Sequence, residues 1–565
     1  MHTHERPPIR RITRSPPPTP VRLRRALPAP RSLVGGVVVV VTLLAPTPGA
    51  AQSAVGDGRV VAGGSASPVG GIVIERHDVF DLTQSSAWYE RVMNALHVTT
   101  QENIIRRELL IQPGAPYDSA RSAETARNLR KLSIFRDVQV DSARTDSALG
   151  ARVVTGDAFT LKPYVSLKTS GGQAAYGIGV VEQNLFGRLI GVEVKFKHEP
   201  DRDTLRFSLN VPRLIASRVG FAASYASLTD GKQGTASVGM PFFSLASRAS
   251  AQVSGEVIEG RLLRYLEGVP DPSDSLQRRY AIGRTQLGLA TRSSDQGYLR
   301  FQLEGQVRRD DFAPDPAPGP FPHSVTGAVS LFAETRSAKY VVTRNYRNIG
   351  PDEDVDLSTK VRFGAWFAPA AWGYERNGVG PSFDLLSGLR FPRGFAFFNA
   401  RASTLYTSEG LDSATFIATG TAVVHPAHRH MAVVFLGGGR DENPYPGEEF
   451  DLGFVRGPRA FPQHAFTGDR MVFGSAEYRW TMIPELWKLV GIGIAGFVDH
   501  GGAWYQGSSR RTGTDAGLGL RIGSARFPSI NGAARADVAY RFANDVEQGG
   551  WVLVLGTGFV FERGR

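Results

Sequence analysis

The sequence predicts an all-β transmembrane barrel preceded by a small α+β domain, and three observations carry that prediction. From Leu161 onward the residues alternate apolar and polar with period two, without a long amphipathic helix. The stretch from about 71 to 157 alone mixes strand and helix patterns. Ahead of both stands a leader with the tripartite form of a secretory signal.

In the leader a basic, Pro-rich segment precedes the apolar run from Leu33 to Ala45, and Gly49-Ala50-Ala51 follow before Gln52. Residues 1–51 therefore read as a signal peptide, since the apolar run falls short of the ~18–20 residues that a spanning helix needs. Residues 52–70, small and Gly/Ser-rich, read as a flexible linker. The chain of 565 residues carries a formal charge of +12, but the leader holds eight arginines against one acid. The remaining +5 or so is spread over the rest of the chain, which argues against a nucleic-acid partner. With no cysteine there is no disulfide framework, thiolate metal site, cysteine nucleophile or lipid-modified N-terminal cysteine.

Within 71–157 a strand begins at Ile72-Val73-Ile74, and Ser85 to His97 is compatible with a helix. Thr99-Thr100-Gln101-Glu102 has capping-box spacing and predicts a helix through Ile104, Ile105, Leu109 and Leu110, stopped by Pro113-Gly114. Asp118 is placed to cap a second helix through Leu129 and Leu132. Strands follow at Phe135 to Val140 and Ala151 to Thr155.

In the remainder, Val192, Val194 and Phe196 alternate with Glu193, Lys195 and Lys197. Val538, Tyr540 and Phe542 alternate likewise with Asp537, Ala539 and Arg541. Apolar-out, polar-in strands joined by Gly/Asp turns are what a barrel in lipid requires, because lipid offers the backbone no partners. A soluble barrel would invert the faces, and periodicity alone leaves that open. The leader, the number of strands and the aromatic residues at strand ends favour the membrane version. About sixteen antiparallel strands would use some 25 residues each with its connection. The alternating stretches exceed sixteen, so the surplus is either loop hairpins, around 355–425, or a larger barrel.

Several motifs fall in a set order. Val181-Glu182-Gln183-Asn184-Leu185-Phe186-Gly187 forms an early turn, and Pro241-Phe242-Phe243-Ser244-Leu245 follows an alternating run. Phe454-Val455-Arg456-Gly457-Pro458-Arg459-Ala460-Phe461 precedes Gly468-Asp469-Arg470, Glu477-Tyr478-Arg479-Trp480 and Asp499-His500-Gly501. Together with Ile104-Ile105-Arg106-Arg107-Glu108-Leu109, Gly114 and Tyr117, this set resembles the outer-membrane protein 85 superfamily of assembly factors and bacterial surface antigens. The resemblance covers about 71–561, and 71–157 resembles its POTRA domain.

That resemblance implies a sixteen-stranded outer-membrane barrel, residues 158–565, with the POTRA-like domain in the periplasm. It implies an outer loop, about 442–467 between strands eleven and twelve, that folds inward. Val455, Arg456 and Gly457 on this loop would latch onto Asp499, beside Gly501, with Gly468, Glu477 and Arg479 as the surrounding wall motif. Asn184, Leu185, Phe186 and Gly187 would be the early-strand turn. One departure is Pro458, which stands where the family has an aromatic residue, with Phe461 three positions on. Independently of any family, Arg456 and Asp499 are costly against lipid and belong in the lumen. The plainer reading makes them a solvated loop arginine and a strand-end turn residue.

The resemblance further implies a protein that inserts or translocates client outer-membrane or secreted polypeptides. Clients would pass a seam between Leu161–Thr169 and Trp551–Phe561, which Gly556 and Gly558 should loosen. Its partners would be these clients, periplasmic chaperones, accessory lipoproteins and the lipid bilayer. A passive channel, receptor or surface antigen on the same barrel is the alternative. No nucleophile-elbow, phosphate-loop or metal-ligand spacing stands out, so no enzyme activity, cofactor or metal is expected.

Overall fold

A computed structural model describes residues 68–559, apart from short stretches at 84–86, 146–147, 171–172, 215–216, 267–268, 271–274, 316–323, 454–455, 525 and 527–531. The expected signal peptide, most of the expected linker, Val455 and Phe561 thus lie outside the described residues. Among the described residues no helix is long and apolar enough to cross a membrane.

The N-terminal module comprises β1 (Ile72–His77), α1 (Trp88–Leu96), α2 (Glu102–Glu108), α3 (Ser119–Lys131), β2 (Phe135–Thr145) and β3 (Ala148–Asp157). β3 lies central, parallel to β1 and antiparallel to β2. Ile104, Ile105, Leu129, Ile134 and Val153 form its core. Asp118 caps α3 by accepting from the N–H groups of Ala120 at 2.7 Å and Arg121 at 3.3 Å. The expected capping box does not form: Gln101 precedes α2 without a side-chain cap. Thr100 instead gives both its N–H and its hydroxyl to the buried Asp157, at 2.7 and 2.8 Å.

The barrel wall starts with β4 (Leu161–Ser170), β5 (Gln173–Glu182), β6 (Gly191–His198), β7 (Asp203–Val211), β8 (Gly220–Leu228), β9 (Gly231–Met240) and β10 (Ala249–Leu262). A loop hairpin, β11 (Tyr265–Leu266) and β12 (Val269–Pro270), precedes β13 (Leu276–Ser294), β14 (Gly297–Pro314) and β15 (Val325–Ser337). A second hairpin, β16 (Tyr340–Arg344) and β17 (Asp352–Asp356), leads to β18 (Thr359–Ala368), β19 (Gly378–Phe391), β20 (Gly394–Thr407), β21 (Gly410–Val424) and β22 (His430–Glu442). A third, β23 (Phe450–Leu452) and β24 (Phe466–Gly468), precedes β25 (Arg470–Leu486), β26 (Val490–Trp504), β27 (Gly513–Gly523), β28 (Ala534–Arg541) and β29 (Gly550–Thr557).

Leaving out the three hairpins, these strands follow one another around a ring of 20. The count of sixteen is therefore corrected. Dividing by 25 residues overestimated the connections, because turns such as 229–230, 295–296, 392–393 and 408–409 take only two residues. Residues 355–425 supply wall strands β18 to β21, and the surplus hairpins lie elsewhere.

The faces settle the question that periodicity left open. Val192, Val194, Tyr478, Trp480, Val538 and Tyr540 are exposed on the outside, whereas Glu477, Arg479, Arg535 and Asp537 are buried in the lumen. Apolar residues outside and ionic residues inside suit a barrel whose solvent is hydrocarbon.

Each neighbouring pair from β4 round to β29 forms an antiparallel ladder with a defined register. β29 and β4, the last and first strands of the wall, are hydrogen-bonded neighbours and close the ring. There the Thr169 hydroxyl donates to the Leu553 carbonyl at 2.7 Å. Gly556 lies beside the Arg535 guanidinium, where an added Cβ would come within 3.1 Å of Nε. Its small size therefore makes room in the lumen. Gly558 falls beyond the end of β29.

The module docks on one end of the ring. Arg213 forks onto Glu108, the Glu124 carboxylate accepts from the Leu245 N–H at 2.7 Å, and Arg130 forks onto Asp354 at 2.6 and 2.8 Å. Asp354 belongs to the β16–β17 hairpin, whose tip residue Tyr346 is buried among Phe395, Val423, Met431, Val433 and Phe559. The Pro241–Leu245 motif is the turn that receives α3: Asn128 donates to the Phe243 carbonyl at 3.2 Å, and Arg300 donates to the Ser244 carbonyl at 2.7 Å.

Candidate functional site

The connection between β22 and β25 enters the lumen, and its central residues are among the most buried of the chain. Counted from the first wall strand it joins the fifteenth and sixteenth strands, not the eleventh and twelfth, because the ring is larger than expected. Counted from the C-terminus it has the expected place, before the last five strands.

The guanidinium that meets Asp499 belongs to Arg459 and not to Arg456. Arg459 Nε donates to Asp499 Oδ2 at 2.6 Å and Nη2 to Asp499 Oδ1 at 3.1 Å, a bidentate fork. Its Nη1 donates to Glu477 Oε2 at 3.2 Å and to Asp537 Oδ2 at 3.0 Å. Its plane lies over the Phe497 ring, 3.6 Å from the centroid. Arg456 is exposed, and its carbonyl accepts from the Gly453 N–H at 2.7 Å. The reason is the backbone between the two arginines. Gly457 takes a φ of +117°, open to glycine, and Pro458 follows with no N–H to give. The chain turns there, so the side chain that enters the ionic site is the one three residues later.

The register of the wall explains why a cation is needed. Asp499 on β26 stands directly opposite Ser475 on β25 and Asp515 on β27. Two carboxylates facing each other across a ladder are destabilising alone. The loop resolves the conflict: Arg459 holds Asp499, and the Ala460 N–H donates to Asp515 Oδ2 at 3.0 Å. Ser475 adds a hydroxyl to Asp499 Oδ1 at 2.7 Å.

Glu477 and Arg479, expected around the latch, are here, and each carries more than the motif suggested. Glu477 also receives Arg521, at 3.0 Å from Nε and 2.9 Å from Nη2, and pairs with Arg479. Arg479 donates from Nη1 to the Tyr346 carbonyl at 2.9 Å, which links the site to the β16–β17 hairpin. Asp537 receives Arg521 and Arg535 as well as Arg459. Arginines 459, 479, 521 and 535 thus pair with the carboxylates of 477, 499 and 537, and Asp515 is held by the Ala460 N–H. Pairing of this kind lets a buried interior hold so many charges. Gly501 and Gly468 serve close packing: an added Cβ would lie 2.5 Å from the Val472 carbonyl and 2.1 Å from the Trp504 carbonyl carbon, respectively.

An apolar half completes the contact. Phe461 and Phe466 are buried with Leu452, Phe435 and Phe473, and Ala460 packs on Phe497, Ala539 and Val554. Val554 lies on β29, so the loop touches the last strand as well as β26 to β28.

The next two residues reach the opposite side of the closing junction. The Gln463 N–H donates to Gln173 of β5 at 3.1 Å. His464 lies between Asp451 and Asp201, the latter at 3.0 Å in the β6–β7 turn, and stacks on Tyr265 with ring centroids 3.5 Å apart. Burial by itself would lower the His464 pKa, but the two carboxylates outweigh it and raise the pKa to about 9. Because the folded value lies above the ordinary 6.5, this stabilisation is complete below pH 6.5 and is lost as pH rises through 9. Protease cleavage within 443–469 should accordingly increase between pH 7 and 10 in the native protein. The same step should be absent in His464→Gln; an unchanged step there would remove His464 as its cause.

The early turn is a docking element of the module. Asn184 is buried, donates to the Thr100 hydroxyl at 2.8 Å, and accepts from the Leu189 N–H at 2.7 Å. Leu185 opens a short 3-10 turn through Gly187, and Phe186 is exposed at a φ of +56°. The Phe186 and Gly187 carbonyls accept from Gln101 at 3.1 and 3.0 Å. Arg459, Asp515, Arg521, Arg535 and Asp537 went unrecognised as site residues. One signal was available: Arg459 and Phe461 have the arginine-to-aromatic spacing of the motif sought at Arg456.

No protein-family model and no curated protein matches the sequence. Among solved structures, the fold is similar to BamA from Haemophilus ducreyi lacking POTRA domains 1–3, with a TM-score of 0.36 and 12% identity over 86% of this chain and 84% of that one. It is similar to CdiB from Escherichia coli, with a TM-score of 0.44 and 10% identity over 89% and 93%. It is also similar to CdiB from Acinetobacter baumannii, with a TM-score of 0.38 and 12% identity over 87% and 73%.

Proposed function

We propose that the chain is an outer-membrane barrel of the outer-membrane protein 85 type, secreted by its 1–51 leader, with residues 71–157 in the periplasm. It receives client polypeptides at that module and inserts or translocates them through the seam between β4 and β29. The observation that carries this reading is the closing junction, where the first and last strands of the ring, β4 of 10 residues and β29 of 8, meet. Each backbone hydrogen bond contributes a net ~0.5–1.5 kcal/mol, so a junction between strands this short opens more readily than one such as β13 with β14, of 19 and 18 residues. An edge strand freed there offers main-chain groups to a client strand of almost any sequence. The client's own folding supplies the drive, without nucleotide or metal.

Photo-crosslinking groups placed in cells at 161–169 and 551–557 test the proposal. Capture of outer-membrane or secreted polypeptides, together with loss of those same proteins on depletion of the chain, is the expected result. Absence of captured clients, with a stable selective conductance from the purified protein, would instead establish a passive channel.

A further inference from the structure

One helix outside the barrel leaves an apolar face exposed. In α1, Trp88, Arg91, Val92, Ala95 and Leu96 are exposed, and their spacing places them on a single face. Trp88 is 71% and Leu96 61% exposed. The inward face is mixed: Tyr89 and Met93 pack on Val79, Phe80 and Phe159, while Glu90 is fully buried and Asn94 exchanges hydrogen bonds with the Phe80 backbone at 2.8 and 3.1 Å. A helix surrounded by water ordinarily buries such a face.

Its attachment indicates which solvent the apolar face meets. The Tyr89 hydroxyl donates to the Trp487 carbonyl at 3.2 Å, and Lys488 lies 3.5 Å from Glu90. Trp487 and Lys488 form the β25–β26 turn, and Trp487 is 72% exposed. Just before that turn, Trp480, Met482 and Ile483 are exposed on β25. The helix is thus fastened to the barrel where the outward apolar surface reaches the module end. We propose that α1 is an interfacial membrane helix, lying in the headgroup layer of the leaflet on the module side. Trp88, Val92 and Leu96 enter the acyl boundary, and Arg91 reaches lipid phosphates. This rests on the reading of the barrel as lipid-embedded.

The chain has no cysteine, so single sites can be labelled in the full-length protein. Nitroxides are placed at Val92→Cys, at Leu518→Cys on the outer face of β27, and at Asn103→Cys on the exposed side of α2. The protein is reconstituted in phosphatidylethanolamine/phosphatidylglycerol bilayers, and collisions with oxygen and with a water-soluble nickel chelate are compared. The Val92 label should favour oxygen several-fold more than the Asn103 label and approach the Leu518 label. If Val92 behaves like Asn103 while Leu518 remains in lipid, α1 lies in water and only this proposal falls. Shielding of Val92 from both reagents would mean that protein covers the face, which also overturns it. If Leu518 itself behaves as a water-exposed site, the lipid-embedded reading fails and takes this proposal with it.

Discussion

Arg459→Ala should destabilise the folded barrel by ~3–5 kcal/mol, the usual cost of removing one partner from a buried ion pair, whereas Arg456→Ala should change it by less than ~1 kcal/mol, as for an exposed residue. Removing the Arg459 guanidinium leaves Asp499, Glu477 and Asp537 facing one another with fewer cations, and Asp499 directly opposite Asp515. The destabilised species should be a barrel whose inner loop is released, so cleavage within 443–469 should appear before the strands unfold. Urea unfolding of the two variants, followed by heat-modifiable mobility, separates them. Equal losses from both substitutions would overturn the assignment of Arg459 as the inward residue.

Phe461→Ala should cost a comparable ~3–5 kcal/mol, the range for a fully buried phenylalanine. Phe461 is 0% exposed, its ring centroid 5.2 Å from that of Phe466, and the facing wall is shaped to it. A Cβ added at Gly513 would fall 2.3 Å from the Phe461 ring. Gly513→Ala alone should therefore destabilise through overpacking, yet cost much less when Phe461 is already alanine. A double-mutant cycle measures this coupling. Additive losses would mean that the ring and the β27 backbone do not share the space.

The barrel was legible because its two solvents alternate at every residue, and period two survives any error in strand number. The inward loop of about 442–467 could be placed before the last five strands for that reason. The strand total was not legible, since it depends on how many turns are as short as 392–393 or 408–409. Local chemistry fared unevenly. Asp118 caps α3 because its partners are two and three residues away. Thr100 departs from its local pattern because Asp157 and Asn184, distant in sequence, claim its hydroxyl. The entry of Arg459 in place of Arg456 has a similar cause. A motif gives the order of residues, whereas the side chain that enters a lumen is decided by the backbone turn at Gly457-Pro458.

The segment Arg459–His464 holds β26, β27 and β28 with its first residues and the β5 and β6–β7 ends with its last. This bears on the order in which the chain assembles. The hairpins of the wall close over short sequence distances, but the final junction joins strands several hundred residues apart, where pairing is slow. Loop-closure entropy falls when an intermediate contact shortens the remaining loop. If the segment grips the first hairpins before β29 pairs, the last strand enters a ring whose ends already lie side by side. His464→Gln should then also refold more slowly, and an unchanged refolding rate would show that the ends find each other without it.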